Sequence, residues 1–163
     1  MHKSTLHSIM LLRQFPYQLA QLVTYLPYTY LADTYIHTKM SVAQHVHHLA
    51  DAHMTIYIHC RLIYTENQPP LKPYDEVAWL QCTDSSSIDI TTSLAILHGT
   101  HARMADFFHT LSYSDWERAG NHPVNGYITL HDQLHALIAH GETHLKQITT
   151  QINDLSLQSV IDK

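Results

Sequence analysis

The sequence has few charged residues, few glycines and prolines, and only two cysteines. Charged residues make up 14% of its 163 residues, with nine Lys and Arg against fourteen Asp and Glu, so clustered positive charge for nucleic-acid binding is absent. Four Gly and six Pro favour long helices over turn-rich β structure. The two cysteines, Cys60 and Cys82, form no motif, and we expect reduced thiols in a cytoplasmic protein.

Long apolar runs are missing too. No window approaches the roughly 18 apolar residues of a membrane span. The apolar N-terminal stretch is broken by His7, Arg13, Gln14 and Pro16, which predicts a helix rather than a signal peptide. A chain of this length fits a single domain over residues 1–163. The expected partner is therefore a small molecule or a protein, with neither nucleic acid nor membrane involved.

Apolar residues at helical spacing predict four long helices. We expect them at residues 5–26, 41–66, 92–111 and from residue 129 onward. Ser41 and Gln44 form a capping box at the start of the second helix, and Thr129 with Asp132 is similar at the start of the fourth. Four amphipathic helices with partly long connections predict an all-α four-helix bundle.

The connections differ in length. Residues 67–91 form a long crossover, and residues 112–128 are expected to hold a short helix that begins at a capping box on Ser114 and ends at Gly120. In the first helix, Pro16 either introduces a kink or starts the second half. Pro27 is expected to end that helix.

Sixteen histidines are the most unusual feature of the composition. Two pairs, His131 with His135 and His140 with His144, have the spacing that places side chains on one helix face. A chain this rich in histidine also has such pairs by chance, so spacing alone leaves both open. A further ligand should come from another helix, and the second helix offers four candidates: His45, His47, His48 and His53.

Five stretches of the sequence resemble the YfiT-like proteins of the DinB superfamily, in the same order and over nearly the whole chain. They are residues 47–54 (HHLADAHM), 72–79 (KPYDEVAW), 93–103 (SLAILHGTHAR), 122–130 (HPVNGYITL) and 140–148 (HGETHLKQI). The resemblance implies a DinB/YfiT-like four-helix bundle with a long crossover. It also implies a divalent metal ion held by His48, His140 and His144, and, by family analogy, a homodimer.

Three imidazole ligands leave coordination positions open, as catalytic metal sites do, and they suit zinc or nickel. Such an ion activates a water for hydrolysis or a thiol for transfer. The resemblance implies both activities, metal-dependent hydrolase and thiol S-transferase using a bacillithiol-type thiol. Several residues differ from the family pattern. The alternative is therefore a non-catalytic bundle that binds a metal or another ligand or acts as an interaction protein.

Three further residues are weaker catalytic candidates. Asp51 could orient a ligand imidazole or simply be solvated. Glu142, between the two ligands of the last helix, could act as general base, although it should point away from them. His101 could line the pocket or be a hydrogen-bonded core residue. The remaining histidines are expected at the surface, among them His2, His7, His37, His59 and His109.

Overall fold

The computed structural model describes residues 3–32 and 40–161. Helices account for most of the described chain, and the remainder includes a short 3-10 turn at Asp84–Ser86 and one β-hairpin. In chain order the elements are α1 (Lys3–Val23), α2 (Tyr28–Ala32), α3 (Val42–Thr65), α4 (Glu76–Leu80), α5 (Thr91–Thr110), α6 (Tyr113–Trp116), β1 (Ala119–His122), β2 (Gly126–Thr129) and α7 (Leu130–Ile161).

The four long helices pack in a ring, which confirms the predicted all-α four-helix bundle. Around the bundle the order is α1, α5, α3, α7, and α7 closes the ring by packing on α1. Apolar side chains fill the interior in two clusters, one around Phe108 and the other around Leu49. Between the two clusters, the long helices contribute buried histidines, so a polar layer crosses the middle of the core.

The predicted start of α3 is confirmed in detail. The Ser41 hydroxyl accepts a hydrogen bond from the Gln44 backbone N–H at 3.1 Å, and the Gln44 side chain accepts from the Ser41 N–H at 2.9 Å. Thr129 and Asp132 make the same reciprocal pair at the start of α7. These caps satisfy backbone donors that the first helical turn leaves free.

The first helix differs from the prediction at its end. It stops at Val23, short of the expected Leu26, and Pro27 precedes the short α2 instead. Pro16 lies inside α1, which runs through it as one helix. A proline has no backbone N–H, so the carbonyl four residues earlier, that of Leu12, receives no helical hydrogen bond.

The predicted boundaries of the short helix were wrong. The capping box is formed by Ser112 and Asp115, so Ser114 lies inside α6, and Gly120 belongs to β1. The hairpin of β1 and β2 was not predicted. Its strands pair antiparallel from Ala119 opposite Thr129 to His122 opposite Gly126.

The hairpin holds the crossover against the bundle. The Leu71 N–H donates to the Asn121 carbonyl at 2.9 Å, and the Asn121 N–H donates to the Pro69 carbonyl at 2.8 Å. A Cβ on Gly120 would lie 2.7 Å from Leu71 Cγ, so only glycine allows this approach. Crossover and hairpin together form one wall beside α3 and α7.

Histidines predicted at the surface divide into three groups. His7 and His109 are exposed, as expected, and His2 and His37 lie outside the described residues. The prediction for His59 was wrong: it is buried, and its Nε2 lies 3.0 Å from the Lys72 carbonyl of the crossover.

Among the described residues, none of the helices combines the length and the apolar character needed to cross a bilayer.

Candidate metal centre

Three imidazoles from α3 and α7 converge at one end of the polar layer. His48 Nε2 and His140 Nε2 are 3.1 Å apart, and His144 Nε2 lies 3.1 Å from the same His140 atom. Ligand atoms of all three residues lie within 4.8 Å of one another. His140 and His144 are one turn apart on α7, and His48 faces them from α3.

The spacing of these nitrogens fits a shared metal ion. A divalent ion about 2.0–2.1 Å from each imidazole nitrogen would separate neighbouring ligand nitrogens by about 2.9–3.4 Å. The two observed separations of 3.1 Å fall within that range. Imidazole is a donor that zinc, nickel and similar divalent ions prefer. The three residues present therefore suit such an ion.

Each of the three rings has a partner on its other nitrogen. The Tyr74 hydroxyl is 3.3 Å from His48 Nδ1, His53 Nε2 is 3.1 Å from His140 Nδ1, and His45 Nδ1 is 2.8 Å from His144 Nδ1. Partners of this kind orient a ligand ring and select its tautomer. His45 Nε2 is buried and has no hydrogen-bond partner among the described residues, so the partner of His144 is itself held at only one nitrogen.

Burial keeps these histidines neutral. Removal from water disfavours the charged form and lowers the pKa of His45 and His140 to about 4 and that of His144 to about 3. The pKa of His48 is lowered for the same reason, and that of His53 is lowered well below its usual value by burial and by its histidine neighbours. Neutral rings at pH 7 have the lone pairs that metal binding requires.

The cluster opens into a cavity of about 490 Å³. Its floor comes from α3 and α7, including His48 and His140, and its walls come from the crossover and the hairpin. The half-exposed Glu76 carboxylate, at the start of α4, lies 3.7 Å from His48 Nε2. Asp75 places it by capping α4, since its carboxylate accepts from the Ala78 N–H at 3.0 Å.

The weaker candidates lie elsewhere. Asp51 lines a separate groove with His47 and Asp84, and its pKa is raised by burial and by the Asp84 carboxylate. Glu142 is exposed and lies beside α1, next to a different, small pocket. His101 is buried in the core and contacts His53.

The alternative pair of histidines does not join the cluster. His131 and His135 are both exposed, with ring centroids 4.5 Å apart near the start of α7.

Glu76 was not predicted as a site residue, because sequence spacing cannot show which crossover residue contacts α3. Glu76 lies within KPYDEVAW (residues 72–79), one of the stretches that resemble the family, and this was the feature of the sequence that could have indicated it.

Comparison with known proteins agrees with this architecture. The model of the DinB superfamily matches residues 11–148. "Putative metal-dependent hydrolase YfiT" of Bacillus subtilis is 37% identical over 142 residues, covering 86% of this chain and 80% of that protein. A Bacillus mycoides protein that carries the same name, "Putative metal-dependent hydrolase", is 33% identical over 135 residues, covering 83% of this chain and 78% of that protein.

A solved structure of the Bacillus subtilis protein, described as having an unusual four-helix bundle topology, superposes with a TM-score of 0.91. It is 34% identical, and the match covers 96% of this chain and 90% of that one. The resemblance found in the sequence motifs is thus confirmed along the chain and in the fold. On the evidence of its sequence, its fold and its histidine cluster, the protein belongs to the DinB superfamily.

Proposed function

We propose that the protein is a metal-dependent hydrolase of small molecules, with one zinc or nickel ion held by His48, His140 and His144. The observation that carries the proposal is that His140 Nε2 lies 3.1 Å from both His48 Nε2 and His144 Nε2, at a cluster that opens into a cavity of about 490 Å³. Three protein ligands leave positions open for water and substrate. When bound, such an ion lowers the pKa of a coordinated water toward about 7.

Glu76 is the candidate general base. Its carboxylate is on the same side of His48 as the converging nitrogens, 3.7 Å from Nε2. A carboxylate there can accept the proton of a water bound beside the three imidazoles and return it to the leaving group. Tyr74 supports the opposite side of the His48 ring with its hydroxyl, 3.3 Å from Nδ1.

The cavity wall supports a compact substrate without strong negative charge. Its described lining presents more apolar than polar surface, carries the carboxylates of Glu76 and Asp132, and includes neither Lys nor Arg. Apart from the proposed ion, phosphate or carboxylate groups on a substrate would find no cationic side chain in this lining. A neutral ester or amide fits this lining better.

The same lining favours hydrolase over thiol S-transferase. A thiol could occupy the open position and lose its proton to Glu76, as a water would. Thiols of the bacillithiol type carry carboxylates, and the described cavity lining offers them neither Lys nor Arg. We also propose a cytoplasmic location, which suits the free thiols of Cys60 and Cys82. The predicted homodimer stays a prediction from the family resemblance.

The decisive experiment measures metal content by mass spectrometry on tag-free protein after reconstitution with zinc or nickel. Wild type should hold about one equivalent, His140→Ala should lose it, and His135→Ala, which changes an exposed histidine of the same helix, should keep it. The loaded protein is then screened with neutral esters and amides beside a thiol-plus-electrophile panel. Metal that stays in His140→Ala, or fails to bind wild type, would refute the proposed site. A loaded protein active only on the thiol panel would refute the hydrolase assignment.

A further inference from the structure

A row of hydrogen bonds connects the ligand His140 to the backbone of α1 across the core. His140 Nδ1 lies 3.1 Å from His53 Nε2, His53 Nδ1 lies 2.7 Å from His101 Nε2, and His101 Nδ1 lies 2.7 Å from the Leu12 carbonyl oxygen. We call these three rings and that carbonyl the histidine network. Its members come from α7, α3, α5 and α1, so every long helix contributes one.

The chemistry of the last member fixes the direction of every bond. A carbonyl oxygen only accepts, so His101 Nδ1 must carry the proton. Burial lowers the pKa of His101 to about 4, so the ring is neutral at pH 7 and its Nε2 is an acceptor. His53 must then donate from Nδ1 and accept at Nε2. His140 in turn donates from Nδ1, which leaves its Nε2 lone pair free.

The free atom is the one that the metal site needs. His140 Nε2 is the nitrogen that lies 3.1 Å from both His48 Nε2 and His144 Nε2. With the opposite tautomer, a proton on Nε2 would point at the position where an ion belongs. The proton positions follow from the Leu12 carbonyl alone, at the end of the network far from the cluster. They nevertheless leave the lone pair on the nitrogen of His140 that faces His48 and His144.

The sequence provides the accepting carbonyl through a proline. In a helix the Leu12 carbonyl would accept from the N–H of residue 16, and Pro16 has none. His101 Nδ1 takes the vacant place at 2.7 Å. A buried carbonyl without a donor is costly, so Leu12 and His101 satisfy each other.

Packing holds the network in place. The Phe15 ring stacks on His101 with centroids 5.2 Å apart and tilts against His53 at 5.4 Å. His53 and His101 are 0% and 1% exposed, so water does not compete for their nitrogens. Gly141 gives Phe15 its room, since a Cβ there would lie 2.6 Å from Phe15 Cε2.

We propose that His53, His101 and Pro16 are positioning residues that set the tautomer of His140 before the metal arrives. The proposal rests on the metal site argued above. None of the three needs to touch the ion, the water or the substrate. Their effect is that His140 presents a lone pair, already oriented, in the metal-free protein.

Nitrogen-15 NMR of the histidine rings tests this directly in the wild-type protein at neutral pH. Long-range nitrogen–hydrogen spectra show which ring nitrogen carries the proton. We expect the proton on Nδ1 of His101, His53 and His140 in the metal-free protein, unchanged after zinc is added. A proton on Nε2 of His53 or His101, or a His140 that adopts the Nδ1–H form only with zinc, would overturn the proposal.

Variants test the consequence for zinc affinity. His101→Phe removes the acceptor for His53 and should weaken zinc binding about 10- to 100-fold, the range for lost outer-shell partners. His101→Gln, whose amide oxygen can accept from His53, should recover part of the loss. His47→Gln is the matched control: this buried histidine of α3 contacts Ser93 and Ser87 and lies outside the network, so zinc affinity should not change.

Pro16→Ala covers the case in which His101→Phe does not fold. Alanine suits a helix and returns an N–H that competes for the Leu12 carbonyl, so the His101 Nδ1 signal should shift and zinc should bind more weakly. Zinc bound as tightly as by wild type in either Pro16→Ala or a folded His101→Phe would overturn the proposal. If wild type binds no zinc, the proposed function fails, while the metal-free NMR spectra still decide the tautomers.

Discussion

The metal-free protein should lose stability steeply as the pH falls from about 7.5 to 5.5. Three buried histidines carry this expectation: burial lowers the pKa of His45 and His101 to about 4 and that of His144 to about 3. In the unfolded chain these rings titrate near pH 6.5. The unfolded state therefore binds protons first, and stability that is present above pH 6.5 is lost as the pH falls toward 4.

The loss is large compared with ordinary domain stability. At about pH 5.5 each ring contributes about 1.4 kcal/mol of lost stability, and the three together about 4 kcal/mol. Domains are stable by only about 5–15 kcal/mol, so the metal-free protein should be near its unfolding transition there. His48, His53 and His140, whose pKa values are also lowered, should steepen the dependence.

Urea unfolding followed by far-UV circular dichroism, with a chelator present, measures this dependence. The slope of unfolding free energy against pH should correspond to at least about two to three protons bound on unfolding near pH 5.5, the number expected from His45, His101 and His144 alone. His135→Gln, which removes an exposed histidine of the same helix, should leave that slope unchanged. An unfolding free energy that stays within about 1 kcal/mol across the range would refute the neutral, buried state of the cluster.

Four substitutions give further expectations. Gly141→Ala places a Cβ 2.6 Å from Phe15 and should cost about 1–3 kcal/mol in urea unfolding. Gly99→Ala, in an exposed helix position with nothing within 4 Å, should instead add up to about 1 kcal/mol, and equal losses in both would contradict the packing argument. Ser41→Ala should cost about 0.5–2 kcal/mol through the lost cap of α3; an unchanged urea midpoint would contradict it. Glu76→Gln should lower the hydrolysis rate about 10²- to 10⁴-fold while metal content stays constant, and an undiminished rate would exclude Glu76 as base.

The parts of the fold that could be predicted are those with local signals. The cap at Ser41 and the similar one at Thr129 depend on residues three positions apart, so the sequence alone locates both helix starts. The end of α1 was placed three residues late because Leu26 continues the apolar spacing after the helix stops at Val23. Apolar spacing alone therefore predicts too long a helix where the sequence carries no capping signal at the helix end.

The sequence contains one local signal for the hairpin. Asn125 and Gly126 form the dipeptide most typical of tight hairpins, and Gly126 has a φ of +71°. Short strands without clear alternation gave no second indication, and they are held by the crossover rather than by a core of their own. Such elements depend on distant partners, which a single sequence does not show.

For the candidate site, the motif resemblance selected His48, His140 and His144, and the structure brings them together. Their spacing alone could not decide, because His131 and His135 have the same separation along α7. Burial distinguishes the two pairs. His131 and His135 are exposed and do not belong to the cluster that His140 and His144 form with His48 of α3. The partners on the outer nitrogens, such as Tyr74 and His53, depend on tertiary packing and could not be read from the chain.

The cavity is lined partly by the long helices and partly by the crossover and the hairpin, and this division affects how the protein can change over evolutionary time. His48 and His140 lie on packed helices, where substitution also disturbs the core. Pro73, Asn125 and Ile128 lie on the crossover and hairpin, outside the ring of helices. New residues can be accommodated on those segments without altering the three clustered histidines. One inherited histidine cluster can thus face a succession of different substrates, with much of the change confined to the crossover and the hairpin.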